Sequence, residues 1–203
     1  PIPCPLNREM PLELTEEQIE MLVDAFATAA FRLQQAGFDG VEIHGAHGYL
    51  MAAFLSNYAN KRRDDFGGSL ENRMRFLLKI IAFIHQKCGP DFPICVRLSV
   101  EEFVTDGLTP DETCKIAAAL EAAGVQAISA SVGTYESFNR LSMITGEDEG
   151  RWLPLARRVK HAVSIPVMGV GRLKRPEVAE QALARNDMDL AAFGRASLAD
   201  PDL

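Results

Sequence analysis

Two histidines and a tyrosine stand close together after a short apolar segment, residues 41–44. His44, His47 and Tyr49 fall within six residues, and the glycines between them let the backbone turn tightly. Converging imidazoles can donate hydrogen bonds to a developing oxyanion, and a tyrosine hydroxyl can donate a proton. The imidazoles could instead bind a metal ion, although no carboxylate or cysteine ligand follows at a typical spacing. Either histidine alone could be a satisfied core residue, but the three together favour the oxyanion site.

Arg97 lies inside a second apolar segment, residues 94–99. A charge within a buried strand is costly unless it is paired or faces a ligand. One interpretation is an ion pair with a carboxylate such as Glu42. The other interpretation places the guanidinium against an electron-rich cofactor ring.

Glycine–arginine pairs follow two later apolar segments: Gly171 with Arg172, and Gly194 with Arg195. In (β/α)8 barrels, the loops after the last two strands commonly bind a phosphate group through backbone amides. These pairs therefore predict a site for the phosphate of a mononucleotide or a sugar phosphate. A glycine at the end of a strand can also be no more than a turn.

Helical and strand patterns alternate along the whole chain, and these elements must position the residues above. We expect strands to start at residues 41, 94, 127, 166 and 190, each apolar enough to be covered on both faces. This rhythm predicts a parallel sheet, in either a doubly wound fold or a barrel. His44, Arg97, Ser131, Gly171 and Gly194 all lie at the carboxyl ends of consecutive predicted strands, which a barrel gathers around one mouth. We therefore predict an α/β fold, a partial (β/α)8 barrel of five parallel strands with intervening helices.

The length and the composition limit the possible functions. A complete barrel takes about 250 residues, so a chain of 203 residues that begins with Pro1 is expected to be a segment of a longer protein, short of three strands. The net charge of −7 argues against nucleic-acid binding. No apolar run suggests a membrane span, and no CxxC pair suggests a zinc or iron–sulfur site. We expect a cytoplasmic protein with reduced thiols and no metal.

The connection after the first strand, residues 60–73, alternates charges and contains a Gly-Gly turn. We interpret it as a loop that is hydrogen-bonded to itself and braces the mouth of the barrel, with residues 61–65 forming a local salt-bridge patch.

A series of motifs resembles the old yellow enzyme family of NADH:flavin oxidoreductases. The motifs are GFDGVEIHGAHGYL (37–50), FLS (54–56), NKR (60–62), GGSLENR (67–73), VRLS (96–99), FGR (193–195) and ADP (199–201). Their order and spacing match from about residue 14 to residue 203. The resemblance identifies the five strands as the fourth to eighth of the family barrel, so residues 1–203 would be the C-terminal part of one FMN-binding barrel, without its N-terminal strands.

The resemblance implies a function and assigns roles to the residues. It implies non-covalent FMN, NAD(P)H as reductant, and reduction of the activated C=C bond of an α,β-unsaturated carbonyl or enoyl substrate. His44 and His47 would hydrogen-bond the activating oxygen of the substrate, and Tyr49 would donate the proton. Arg97 would face the flavin pyrimidine. The phosphate would be bound by two glycine–arginine pairs, Gly171 with Arg172 and Gly194 with Arg195; some members have a smaller polar residue at the position of Arg172.

The resemblance also indicates what lies outside the chain. Family members carry flavin contacts on the first three strands, and larger members add a cysteine cluster for a 4Fe-4S centre after the barrel, so the parent protein could hold one. We expect a homo-oligomer without nucleic-acid or membrane partners, and a segment that by itself binds FMN weakly and is inactive. The alternatives are a non-catalytic truncated barrel and a phosphate-binding barrel isomerase or aldolase.

Overall fold

The computed structural model describes residues 2–5, 8–141 and 148–202. In this part of the chain, one or two helices separate each strand from the next. The strands are β1 (Val41–Gly45), β2 (Ile94–Ser99), β3 (Ala127–Ser131), β4 (Val167–Val170) and β5 (Leu190–Ala192). The helices are α1 (Glu16–Gln35), α2 (Leu50–Leu55), α3 (Leu70–Cys88), α4 (Pro110–Ala122), α5 (Phe138–Leu141), α6 (Leu153–Lys160), α7 (Pro176–Ala184) and α8 (Arg195–Ala199).

All five strands are parallel, and they are hydrogen-bonded in the order β1-β2-β3-β4-β5. A doubly wound sheet reverses its strand order at a switch point, and no reversal occurs here. The strand order thus favours the barrel over the doubly wound alternative, and it brings the carboxyl ends of all five strands to one edge.

The two faces of the sheet differ because successive side chains of a strand point in opposite directions. One face packs against the helices through side chains that are at most 4% exposed: Ile43, Val96, Leu98, Ile128 and Ala130. The other face carries Glu42, His44, Cys95 and Arg97, in register across β1 and β2. Chemistry-bearing residues therefore share the face that becomes the interior when such a sheet closes.

Caps and turn residues explain where the helices begin. The Thr15 hydroxyl accepts a hydrogen bond from the Gln18 amide at 3.3 Å, and the Gln18 side chain accepts one from the Thr15 amide at 2.9 Å, a capping box that starts α1. Thr109, followed by Pro110, starts α4 in the same way, with the Glu112 amide 3.4 Å from the hydroxyl. The short helices α2, α5 and α8 have no such pattern and were not expected from the sequence. None of the helices in the described ranges is long and apolar enough to cross a membrane.

Candidate functional site

A tight turn at the end of β1 brings the two histidines and the tyrosine together. His47 and Gly48 have φ angles of 63° and 77°, so the chain reverses direction within two residues before α2 begins. The amide of His47 donates to Ser99 Oγ at 2.9 Å, which ties the turn to the end of β2. Ser99 Oγ in turn donates to the Gly133 carbonyl at 2.8 Å, which extends this connection to the loop after β3.

The side chains at this turn form a continuous group of rings. The ring centroids of His44 and His47 are 5.1 Å apart, and those of His44 and Tyr49 are 5.2 Å apart. Tyr135, from the loop after β3, meets Tyr49 edge-on at 5.3 Å with an interplanar angle of 70°. The structure thus brings together the three residues that the sequence singled out, and it adds a second tyrosine.

Both histidines are poised to be neutral. Burial, followed by the charge of Arg97, lowers the pKa of His44, and the same two causes together with His44 lower the pKa of His47 to about 4. His47 Nε2 lies 2.7 Å from Ser131 Oγ. If the Ser131 hydroxyl donates to Nε2, the ring proton resides on Nδ1. A neutral imidazole donates one hydrogen bond without placing a full charge in the site.

Tyr135 is the functional candidate that the sequence interpretation missed. Its hydrogen bond with Tyr49 raises the pKa of Tyr135 to about 12. A tyrosine hydroxyl beside Tyr49 can donate a hydrogen bond to the Tyr49 oxygen while Tyr49 gives up a proton. The loop around residue 135 has no diagnostic motif; the signal in the sequence is an aromatic residue shortly after a strand end, on the side where barrels build their sites.

Arg97 does not form the ion pair with Glu42 that was one of its two interpretations. It forms no salt bridge with Glu42, whose carboxylate instead accepts a weak hydrogen bond from Cys95 Sγ at 3.6 Å. Arg97 Nε is buried and has no hydrogen-bond partner among the described residues. A buried donor without an acceptor costs free energy, about 1–3 kcal/mol. An acceptor supplied by a bound ring would remove that cost.

The two glycine–arginine pairs differ in their surroundings. Gly171 has φ 151°, and a Cβ placed on it would lie 3.1 Å from the backbone nitrogen and the Cβ of Trp152. Gly194 precedes α8, and a Cβ on it would meet nothing within 4 Å. Arg172 and Arg195 line two neighbouring cavities, of about 330 and 550 Å³. His47 and Tyr49 also line the smaller cavity, so Gly171 and both arginines share a cavity with the proposed proton donor.

The connection after β1 is bonded to itself as predicted. The Asn60 side chain donates to the carbonyls of Phe54 and Phe66 at 2.8 and 2.7 Å. Arg62 pairs with Asp64, with Nε–Oδ distances of 3.1 Å. Ser56 Oγ donates to the buried Glu102 carboxylate at 2.5 Å, so the end of α2 is fixed to the loop after β2. Burial raises the pKa of Glu102.

The sequence also allowed the interpretation that the two histidines bind a metal ion. Within the ranges that the structure describes, no group of three His, Cys, Asp or Glu side chains could hold a metal ion. The four cysteines are unpaired.

Comparisons with known proteins agree with this architecture. Residues 5–203 match the profile of the NADH:flavin oxidoreductase / NADH oxidase family. The chain is 44% identical over its whole length to the NADH oxidase of Thermoanaerobacter brockii, and spans 31% of that protein. It is 37% identical over 94% of its length to the cinnamate reductase of Clostridium sporogenes, again spanning 31% of the relative.

A solved structure extends the agreement to three dimensions. The complex of 2-naphthoyl-CoA reductase with 2-naphthoyl-CoA superimposes on 98% of this chain with a TM-score of 0.92 and 39% identity. The chain spans 31% of the length of that protein. The five strands with their helices therefore form part of a (β/α)8 barrel, and the chain belongs to the NADH:flavin oxidoreductase / NADH oxidase family.

Proposed function

We propose that the protein containing this chain is an FMN-dependent NAD(P)H oxidoreductase that reduces the activated C=C bond of an α,β-unsaturated carbonyl or enoyl substrate. The observation that carries the proposal is the position of His44, His47 and Tyr49. They form one group of rings, on the same edge of the sheet as the unpartnered guanidinium nitrogen of Arg97.

The residues of this chain fit FMN. Arg97 Nε is a buried donor with no acceptor in the part of the chain that the structure describes, which suits a flavin pyrimidine edge. Gly171 leaves space where a side chain would collide with Trp152, and Arg172 and Arg195 supply positive charge nearby for a phosphate. When bound, FMN would supply hydride transfer from the nicotinamide to the alkene.

Side chains of this chain supply the proton for the reduction and stabilise the charge that develops on the substrate. The alkene gains one hydride and one proton, so NAD(P)H, a proton and the unsaturated carbonyl compound yield NAD(P)⁺ and the saturated compound. Tyr49 donates its hydroxyl proton to the α-carbon, and Tyr135 stabilises the Tyr49 oxygen by a hydrogen bond. His44 and His47 donate hydrogen bonds to the carbonyl oxygen as negative charge develops on it.

Further properties of the parent protein rest on the sequence and the resemblance alone. A homo-oligomeric state and a cytoplasmic location stay predictions, and a 4Fe-4S centre is a feature that the parent protein could hold. Cinnamate, which the name of one relative contains, has a C=C bond conjugated to a carboxyl group and so supports the proposed substrate class.

Anaerobic half-reactions of the purified parent protein test the proposal. We expect bound FMN, bleaching of its absorbance by NADH or NADPH, and its return when an α,β-unsaturated aldehyde is added without oxygen. A protein purified without flavin would contradict the cofactor. Flavin that is reoxidised by oxygen but by no unsaturated carbonyl compound would contradict the substrate class.

A further inference from the structure

A buried serine–carboxylate pair lies outside the group of rings. Ser56 and Glu102 are each 1% exposed, although they stand 46 positions apart in the chain. Glu102 Oε2 accepts hydrogen bonds from Ser56 Oγ at 2.5 Å and from the Leu108 amide at 2.8 Å. Gly107 lets the loop after β2 fold over this carboxylate, since a Cβ on Gly107 would lie 2.9 Å from Oε2. Because hydrogen bonds to an ionised group are about twice as strong as those between neutral groups, the ionised Glu102 anchors Ser56.

Helix α2 connects this pair to Tyr49. Tyr49 is the residue before the first turn of α2, and its carbonyl accepts a hydrogen bond from the Ala53 amide at 2.8 Å. Ser56 is the residue after the last turn, and its amide donates to the Ala52 carbonyl at 2.9 Å. The six residues between Tyr49 and Ser56 form one continuous helix, so a shift of Ser56 also moves Tyr49.

Two other side chains also hold this end of α2. Arg73 Nη1 donates to the Leu55 carbonyl, and Asn60 Nδ2 donates to the Phe54 carbonyl at 2.8 Å. An arginine keeps its charge at every pH that a protein tolerates, and an amide side chain carries none. Glu102 differs from both because a proton can neutralise it.

The surroundings of Glu102 set the pH at which this happens. Burial raises the pKa of Glu102, and the hydrogen bonds that it accepts lower it. Glu136, from the loop after β3, raises this pKa further, and Arg73 of α3 lowers it. Tyr58, which follows α2, has its own pKa raised by burial, by Glu136 and by Glu102. Glu102 also lines a cavity of about 480 Å³, which offers protons a route to it. The other titratable side chains that line this cavity are Cys4, Glu9, Glu13, Lys61, Arg62 and Tyr135.

We propose, on the basis of the function proposed above, that Glu102 is a positioning residue for the proton donor Tyr49. The carboxylate holds Ser56, Ser56 holds the end of α2, and α2 holds the Tyr49 hydroxyl at the substrate. Protonation of Glu102 weakens the first of these links, so proton donation to the alkene slows at low pH. Flavin reduction by the nicotinamide needs no proton from Tyr49 and is unaffected. Because a displacement of a reacting group by about 1 Å can cost about 100-fold in rate, we expect effects of about 10- to 100-fold.

Anaerobic stopped-flow measurements on the flavin-loaded parent protein test this inference in Glu102→Gln, which keeps the shape of the side chain and removes its charge. Flavin reduction by NADH and flavin reoxidation by crotonaldehyde are followed separately from about pH 5 to about pH 8, above the usual pKa of a glutamate. We expect reoxidation of Glu102→Gln to be about 10- to 100-fold slower than that of the unaltered protein at the upper end of this range. The variant should also lose the rise of this rate with pH, and its rate of flavin reduction should be unchanged.

Ser56→Ala keeps the carboxylate and removes its link to α2, so it should have the same effects on reoxidation. A second serine–carboxylate pair supplies matched controls: Ser164 Oγ donates to Glu121 at the amino end of β4, the opposite end from the group of rings. Ser164→Ala and Glu121→Gln should leave both half-reactions unchanged. In a Tyr49→Phe background, Glu102→Gln should cause no further loss, because Glu102 acts through Tyr49.

The alternative outcomes separate this inference from the proposed function. If Glu102→Gln keeps the pH dependence of the unaltered protein, or slows both half-reactions equally, the inference is wrong and the proposed function stands. A further loss on adding Glu102→Gln to Tyr49→Phe would contradict it in the same way. If neither Glu102→Gln nor Ser56→Ala retains FMN, the pair serves stability rather than positioning, and the inference is again wrong. If no unsaturated carbonyl compound reoxidises the flavin of the unaltered protein, the proposed function itself fails.

Discussion

Replacing Gly171 by Ala introduces one methyl group where the backbone and a neighbour leave no room for it. Gly171 has φ 151°, a conformation that residues with a Cβ rarely adopt, and the added carbon would lie 3.1 Å from Trp152 N and Cβ. Trp152 cannot easily retreat, because its ring packs on Phe103. The amide of Gly150, two residues before Trp152, donates to the Gly171 carbonyl at 2.9 Å. The strain must therefore be relieved by a shift of the loop that begins at Gly171.

The size of the effect follows from this strain. A residue held in an unfavourable backbone region costs about 1–3 kcal/mol. If the loop relieves the strain by moving away from the position that binds the phosphate, the free energy of FMN binding becomes less favourable by a similar amount. At about 1.4 kcal/mol for each tenfold change, the dissociation constant of FMN should rise about 5- to 140-fold.

Titration of the apo form of the parent protein with FMN, followed by quenching of flavin fluorescence, measures this constant. Gly68→Ala is the matched control: its φ is 81°, nothing lies within 4 Å of an added Cβ, and it is outside both glycine–arginine pairs. We expect Gly68→Ala to lower the melting temperature without changing the affinity for FMN. An unchanged FMN affinity in Gly171→Ala would refute the reasoning, and so would an equal loss in Gly68→Ala, because the cause would then be general destabilisation.

Three further predictions concern the group of rings. Tyr49→Phe keeps the ring contacts of 5.2 and 5.3 Å and removes only the hydroxyl. It should slow alkene reduction by about 10²- to 10⁴-fold in stopped-flow assays and leave flavin reduction by NAD(P)H unchanged. An equal loss of rate in both half-reactions would argue against Tyr49 as the proton donor. Tyr135→Phe should shift the alkaline limb of the pH profile of alkene reduction, with Tyr58→Phe as the unaffected control; an identical profile would remove Tyr135 from the proton path. The pKa of His47 is lowered from 6.5 to about 4 in the folded protein, so between these pH values the unfolded state binds more protons than the folded state. The free energy of unfolding should therefore fall as the pH drops from about 6.5 to about 4. Chemical denaturation of His47→Gln over the same pH range should show a smaller fall.

The order of the elements could be predicted because it depends on local patterns. Apolar runs of strand length that alternate with helical periodicity are encoded by neighbouring residues. The five expected strand starts agree with the observed strands to within one residue. The short helices α2, α5 and α8 were missed, because they have four to six residues each and form at turns that the rest of the barrel holds in place.

In the candidate site, too, residues that lie on one local segment could be predicted to converge, whereas contacts between distant segments could not be predicted. The types and the spacing of His44, His47 and Tyr49 were enough to predict that they converge, because a single turn carries all three. The sequence left two partners open for Arg97, and only the fold speaks against one of them: Arg97 makes no ion pair with Glu42, and its Nε has no acceptor among the described residues. Tyr135 reaches Tyr49, and Trp152 reaches Gly171, across 86 and 19 residues of chain.

The sequence by itself thus determined the elements, their order and the reactive turn, because hydrophobic periodicity and tight turns act over a few residues. The tertiary structure alone decided which side chains of distant loops face one cavity, because the conformation of a loop depends on the strands and loops packed around it. The contact of Tyr135 with Tyr49 and the lowered pKa values of the two histidines arise from that packing.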